Sequence, residues 1–300
     1  MQFKIGNTII DRVEEFRQAI PIAALTQDAA FVERHLAPFP KGFFEPERQT
    51  FEFCAQTWII RTDELTIVVD PCNGNGRVRP GSPLFTGLNT PWLERFVATG
   101  VSPGDVDIVF CTHLHCDHCG WNTYQRDGRW VPTFPRARYL FLHQEYLRWK
   151  PKVDRSSDPS HPRYDEYNEN VFEESVRPIF EAGLAQLISA PYRISSELLV
   201  EAAPGHTLGH AMLQLYSEGV RAYFVGDVLH HPAQILNPEL HLPGCDDLEQ
   251  AIATRRSMFA RARSEGAFLF PAHFAEPHHG RVIKSELGFG FAVGGAMTVT

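Results

Sequence analysis

No stretch of this chain of 300 residues is a long uninterrupted apolar run, and a bilayer span needs ~20 such positions. The opening Met1-Gln2-Phe3-Lys4-Ile5-Gly6 also lacks an apolar core, so neither a membrane span nor a signal peptide is expected. An excess of positive charge is missing as well: 28 Lys and Arg stand against 36 Asp and Glu, a net charge of −8. A chain of that sign is poorly suited to nucleic acid or to an anionic membrane, and neither is expected as a partner. Cysteine is sparse, six in all. Cys111, Cys116 and Cys119 crowd a histidine-rich stretch where disulfides would interfere, so reduced thiols and a cytoplasmic location are expected. No internal repeat is evident. At 43% apolar the chain can build one large core, and a single domain over residues 1–300 is expected.

What the sequence does have is concentrated in V-F-C-T-H-L-H-C-D-H-C-G-W-N, residues 109–122. It places His113, His115, Asp117 and His118 within six positions, just after a strand-like run. Imidazoles and a carboxylate so close together suit Zn²⁺, and also Fe, Mn or Co. One short loop cannot close around a metal, so further ligands are needed. His206 and His210 in P-G-H-T-L-G-H (204–210), Asp227 after F-V-G, and His273 after F-L-F-P-A each follow a strand-like run. His210, His230 and His231 are open between a supporting and a purely structural role. His35, His143, His161, His241, His278 and His279 are read as ordinary. Cys116 and Cys119 form a C-x-x-C, but the ligand spacing already belongs to the His/Asp set, and no further zinc is expected on them.

Taken together, the H-x-H-x-D-H box at 113–118, the G-H-T-x-G-H box at 205–210, Gly226-Asp227 and His273 resemble the metallo-β-lactamase superfamily, from about Phe53 to about Arg281. The resemblance implies an α+β (αββα) four-layer sandwich, two facing mixed β-sheets flanked by helices. It implies that His113, His115 and His206 hold one metal and Asp117, His118 and His273 the other. Asp227 bridges them, and Asp70 supports the box from behind. Two Zn²⁺ are expected, with Fe, Mn or Co as alternatives. Two such ions a few Å apart acidify a shared water, and the hydroxide attacks an electrophilic carbon or phosphorus. Asp117 can steer a proton to the leaving group, and no Ser or Cys nucleophile is needed.

Details narrow the expectation. Asp227 stands where zinc β-lactamases carry Cys. His115 stands where flavodiiron proteins carry Glu. The acidic balance disfavours the nuclease branches. G-D-x-x-H-H-P (226–232), C-G-W-N (119–122) and P-A-H-F (271–274) resemble the lactonase, arylesterase and methyl parathion hydrolase branch, acyl-homoserine lactonases included. The expectation is a zinc-dependent hydrolase of a lactone or ester. A phosphotriester hydrolase is the alternative, and a mononuclear iron redox enzyme the less favoured one. Trp92, Trp121 and Phe43 suit an apolar substrate pocket. The polar, Pro-rich run 151–167, with Tyr164 and Tyr167, reads as a lid or as a solvated loop. Residues 1–50 are expected to contribute to the pocket or to a homodimer, the latter by resemblance alone.

Periodicity and turn chemistry place the elements. Strands are expected at 3–13 with a turn at Gly6-Asn7, at 53–61 and 65–70 as a hairpin, and at 107–112 continuing through Trp121-Asn122. Others are expected at 138–142, 198–202, 211–216, 222–225 and, as the last ligand-bearing strand, 267–270. Helices are expected at 90–99 capped by Thr90, at 145–150, at 171–182, and at 246–264 capped by Asp246 or Asp247.

Overall fold

The alternation of apolar and polar residues in the first 21 positions builds two strands with the expected turn at Gly6-Asn7, the second running on to Pro21 where the expectation ended at residue 13. In the computed structural model, which describes residues 1–150, 168 and 170–295, strand β1 (Gln2–Ile5) turns at Gly6-Asn7 into β2 (Thr8–Pro21). The lid expected at 151–167 lies outside the described residues. The strands that follow are β3 (Thr50–Arg61), β4 (Thr66–Val69), β5 (Ile108–Phe110), β6 (Thr123–Arg126), β7 (Arg129–Pro132), β8 (Arg138–Leu142) and β9 (Ala185–Ile188). Next come β10 (Tyr192–Arg193), β11 (Leu198–Ala202), β12 (Ala211–Ser217), β13 (Val220–Gly226), β14 (Phe268–Pro271), β15 (Gly280–Ser285) and β16 (Gly288–Val293).

Two seven-stranded sheets result, in the orders β1-β2-β3-β4-β5-β8-β9 and β10-β11-β12-β13-β14-β15-β16, with β6 and β7 pairing separately. Both are mixed. In the first, β3 and β4 are antiparallel, as the expected hairpin requires, whereas β4, β5, β8 and β9 run parallel. In the second, only β13 and β14 are parallel. The reason β5 can sit between parallel neighbours is its sequence, Ile-Val-Phe, buried on both faces. The segments after β5, β13 and β14 carry His113, His115 and His118, His230 and His231, and His273, and the segment after the antiparallel β11 carries His206 and His210.

The chain divides into two compact units. One comprises Met1–Gln2, Ile9–Glu15 and Gln56–Ser189; the other comprises Phe3–Thr8, Phe16–Ala55 and Ala190–Thr300. In the second unit the long helix Leu248–Glu265 is set by its ends: the Asp247 carboxylate accepts from the Gln250 N–H at 2.9 Å, and Gly266 closes it in the left-handed region. Met258, Phe259 and Ala262 join the core of that unit. The buried face of the helix is not wholly apolar. Arg255 is buried in it while Leu248 and Ile252 are half-exposed. Arg255 donates to the carbonyls of Val228 (2.7 Å), Pro238 (3.0 Å) and Leu240 (2.8 Å), so it staples a loop that apolar side chains could not satisfy.

Several expectations are corrected. Thr90 does not cap the helix Trp92–Val97, which starts after Pro91 with no side-chain cap; the Thr90 N–H goes to Asn75 Oδ1 instead. Trp121-Asn122 lie in a 3₁₀ turn, Gly120–Asn122, and not in a strand. There the N–H groups of Gly120 and Trp121 donate to the carbonyls of Cys72 (2.6 Å) and Pro71 (2.7 Å), which bends the chain out of any sheet. Beyond β14, two strands that were not expected, β15 and β16, extend the sheet. Trp92 and Trp121 stack on one another, 4.9 Å apart at 15°, and are buried. Phe43 sits in the second unit's core. All three are packing residues. No helix among the described residues is long and apolar enough to cross a membrane.

Candidate metal centre

The first unit holds His113, His115, Asp117 and His118, and the N–H groups of Thr112, Leu114 and Cys116 between and before them are all taken by side chains. The Thr112 N–H donates to Asp70 Oδ1 at 2.7 Å, that of Leu114 to Glu145 Oε1 at 2.9 Å, and that of Cys116 to Asn168 Oδ1 at 2.8 Å. His115, in extended backbone, is the N-cap of a short helix, Cys116–Cys119, which carries Asp117 and His118. His113 Nε2 and His115 Nδ1 meet at 2.9 Å, and the rings of His113 and His118 lie 4.1 Å apart. Asp117 Oδ1 is 3.7 Å from His118 Nε2.

Asp70, placed just after β4, does what the resemblance implied. Besides the Thr112 N–H, it accepts from Thr112 Oγ1 at 2.8 Å and faces His118 Nδ1 at 3.0 Å. Thr112 Oγ1 in turn lies 3.1 Å from His113 Nδ1. Anchoring one ring nitrogen leaves the other directed at the site. The end of the box is held by a residue that sequence reasoning missed. Glu15, buried on β2, accepts from Trp121 Nε1 (2.7 Å) and from the N–H groups of Asn73 (2.7 Å) and Gly74 (3.0 Å). Burial raises its pKa, against the pull of those donors. Close packing here also explains Gly120, whose added Cβ would lie 1.8 Å from the Asn73 carbonyl oxygen.

The thiols around the box are inert. Burial raises the Cys116 thiol well above its usual range and pushes Cys119 up to about 12. Protonated sulfur is a poor ligand, in line with metal chemistry resting on the imidazoles. All six cysteines are free.

The second unit holds His206, Asp227 and His273, each just past a strand end: β11, β13 and β14. Its centre is the Asp227 carboxylate. His273 Nε2 lies 2.9 Å from Oδ1, and His206 Nε2 lies 3.2 Å from Oδ2. His230 is the third imidazole there, with Nε2 3.1 Å from Oδ2. Asp227, His230 and His273 each offer a donor atom within 4.8 Å of the others, a group that could hold a metal ion. The pattern G-D-x-x-H was the signal for His230, but spacing alone did not separate it from His231.

Supporting contacts fix this cluster too. His273 Nδ1 lies 2.8 Å from the Cys54 carbonyl oxygen, and its ring stacks on Phe53 at 4.0 Å. His210 is a brace: its Nε2 accepts from the Asp227 N–H at 3.1 Å. His231 is structural, donating through Nε2 to the Phe43 carbonyl (2.6 Å) and accepting at Nδ1 from the Ala233 N–H (3.1 Å). Gly205 lets the G-H-T turn pack on the long helix, since a Cβ there would lie 2.2 Å from the Ala251 nitrogen. Burial alone would strip the proton from His206, yet the Asp227 carboxylate holds its pKa up at about 9. Buried imidazoles aimed at a shared carboxylate, with anchored far nitrogens on His113, His118 and His273, fit divalent cations.

The sequence profile of the metallo-beta-lactamase superfamily matches residues 55–273. The chain belongs to that superfamily. Its two mixed sheets and helices are the metallo-β-lactamase fold, as expected. Among solved structures it is similar to the hydrolase AbOPH of the beta-lactamase superfamily, at 19% identity over 97% of this chain and 96% of that one, TM-score 0.78. It is also similar to AidC, a dizinc quorum-quenching lactonase solved with a product N-hexanoyl-L-homoserine (18% identity, 99% and 98% covered, TM-score 0.77). A third is a variant of AiiA from B. thuringiensis with N-decanoyl-L-homoserine bound at its active site (16% identity, 92% and 96% covered, TM-score 0.62). At these identities the likeness is one of fold. A comparison with curated proteins gives no match.

Proposed function

We propose that this member of the superfamily is a binuclear metal-dependent hydrolase that opens a lactone or a similar ester. The observation that carries the reading is Asp227, a buried carboxylate with imidazole Nε2 atoms at both of its oxygens. A carboxylate in that setting is suited to bridge two cations. His113, His115 and His206 would hold one, Asp117, His118 and His273 would hold the other, and Asp227 would be shared. When bound, zinc or a similar divalent ion supplies an acidified water and a polarised substrate carbonyl. The protein supplies the rest. Asp70, Glu145 and Asn168 keep the box from relaxing. His210 orients Asp227. Asp117 lies at the edge of its cluster with its side chain 9% exposed, which suits it to carry a proton to the leaving oxygen.

Support for the substrate class comes from fold neighbours described as lactonases and from the acidic net charge, which favours a small molecule over nucleic acid. The test is elemental analysis of the purified protein followed by pH-stat assays on acyl-homoserine lactones, aryl lactones and simple aryl esters. Two divalent ions per chain and turnover of a lactone are expected. Metal-loaded protein that hydrolyses none of these esters would sink the reading, and a paraoxon-type phosphotriester turned over orders of magnitude faster than any lactone would replace the substrate class.

A further inference from the structure

The second unit carries a cavity of about 590 Å³ that none of the metal-ligand candidates lines. Its volume falls in the ~300–1,000 Å³ range of small-molecule sites. The walls are apolar: Phe39, Leu236, Leu287, Phe291 and Val293 line them. Two of these side chains are fixed by the core beneath. The rings of Phe39 and Phe291 stand edge-on to Phe43, 6.0 and 6.3 Å away at 67° and 88°. Phe291 also meets Phe274 edge-on at 5.5 Å. The cavity is therefore preformed. Leu287, on the turn between β15 and β16, is 47% exposed. A single exposed leucine is ordinary, but this one borders an apolar cavity and extends its wall.

The charged groups of the lining decide what fits. Arg34 is exposed there and makes no ion pair or hydrogen bond among the described residues. An uncommitted guanidinium beside an apolar cavity suits a carboxylate whose tail lies inside. Glu286 is the one acid of the lining and forms no pair with Arg34. It disfavours a second negative charge on the ligand, so a monocarboxylate fits better than a dicarboxylate. A cavity of similar size in the same unit, about 560 Å³ between β11 and the helix Leu248–Glu265, lacks this feature. Its Arg261 and Glu201 already satisfy each other at 2.7 Å.

We propose that this cavity binds a monocarboxylate with an apolar tail, of the medium-chain fatty-acid class. The carboxylate meets Arg34, and the tail lies between Phe39, Phe291 and Leu287. The inference uses no residue of the metal centre and stands apart from the function proposed above.

The test is isothermal titration calorimetry of the purified protein with decanoate. One decanoate per chain is expected. Octanoate should bind ~10-fold more weakly for the two methylenes it lacks, and decyltrimethylammonium should bind at least as weakly as octanoate. Arg34→Gln should weaken decanoate ~5-fold and leave decan-1-ol unchanged. Leu287→Asp should weaken both by ~10-fold or more. Both side chains are exposed, so neither variant threatens the fold, and thermal melting checks that. Decanoate that binds both variants as it binds the parent sits elsewhere, the metal centre included, and overturns the proposal. Ammonium binding as tight as that of decanoate, or no decanoate binding at millimolar concentration, also overturns it. Sedimentation of the parent addresses a second copy as occupant: a dimer that Leu287→Asp dissociates would give the cavity to the partner chain and overturn the ligand.

Discussion

The two histidine clusters are built in opposite ways. His113, His115, Asp117 and His118 come from one loop and the short helix that follows it, braced through three backbone N–H groups held by Asp70, Glu145 and Asn168. His206, Asp227, His230 and His273 come from three separate strand ends, and what orders them is a single carboxylate. The first cluster is local and redundantly braced; the second is tertiary and has a hub. Damage should therefore spread differently in the two.

Replacing the hub tests the difference most directly. Asp227→Ala removes the group that every imidazole of its cluster faces. At least one metal should be lost, and activity should fall by more than the ~10–100-fold that follows loss of an outer supporting residue. Elemental analysis and turnover check it together. A variant with full metal content and full rate would show that the cluster has no hub.

The next largest effects concern the supports. Glu15 accepts from three N–H donors on the far side of the box. Glu15→Gln keeps the shape but turns an amide NH₂ toward donors, so we expect ~2–3 kcal/mol of lost stability in chemical denaturation. Once folded, the variant should still bind metal. In the other unit the corresponding support is His231. Burial lowers its pKa to about 4, against ~6.5 in the unfolded chain. As pH falls through that window the unfolded state takes up a proton that the folded state refuses. Stability is therefore unaffected above pH ~6.5 and declines towards pH ~4, by up to ~3 kcal/mol from this group. His231→Gln, which keeps a donor for the Phe43 carbonyl but cannot titrate, should flatten the acid limb of a pH–stability curve. An unchanged limb would place the acid sensitivity elsewhere.

These supports explain what the sequence could and could not reveal. The local cluster was legible because its three histidines and one aspartate fall within six positions, and a spacing that tight has few other uses. His206, Asp227 and His273 were legible through the family resemblance and their places after strand-like runs. Glu15 was not, because its partner Trp121 is 106 positions away and nothing in E-E-F marks a buried carboxylate. His210, His230 and His231 look alike in sequence; only the contacts make one a brace, one a member of the cluster and one a structural residue. Trp92, Trp121 and Phe43 failed as pocket residues for a related reason. An aromatic side chain in a core and one in a pocket have the same hydropathy, and which it becomes depends on a partner such as the Trp92–Trp121 stack. Strands β15 and β16 were missed because their glycine-rich sequence weakens the alternating pattern, while pairing along the whole of both strands compensates.

Asp70→Asn sharpens the comparison within the local cluster. The amide can still accept from one Thr112 donor, but its NH₂ replaces the oxygen facing either Thr112 or His118 Nδ1. Metal affinity should drop ~10–100-fold with little change in fold, a smaller loss than at Asp227 because Glu145 and Asn168 still hold the neighbouring N–H groups. Equal losses at the two positions would erase the distinction between a braced cluster and one with a hub.

Asp247→Ala should have the smallest effect, and its location makes it informative. It removes the N-cap of Leu248–Glu265 and should cost ~1 kcal/mol of stability. The turn carrying His206 is tied to the residues just before that helix: the Asp246 N–H donates to the His206 carbonyl, and the Asp247 N–H to that of Gly205. Both are backbone bonds that survive loss of the side chain. The variant should therefore melt earlier with metal affinity intact. A matching loss of metal affinity would mean that the helix start itself holds His206 in position, and that the tertiary cluster depends on more than its carboxylate.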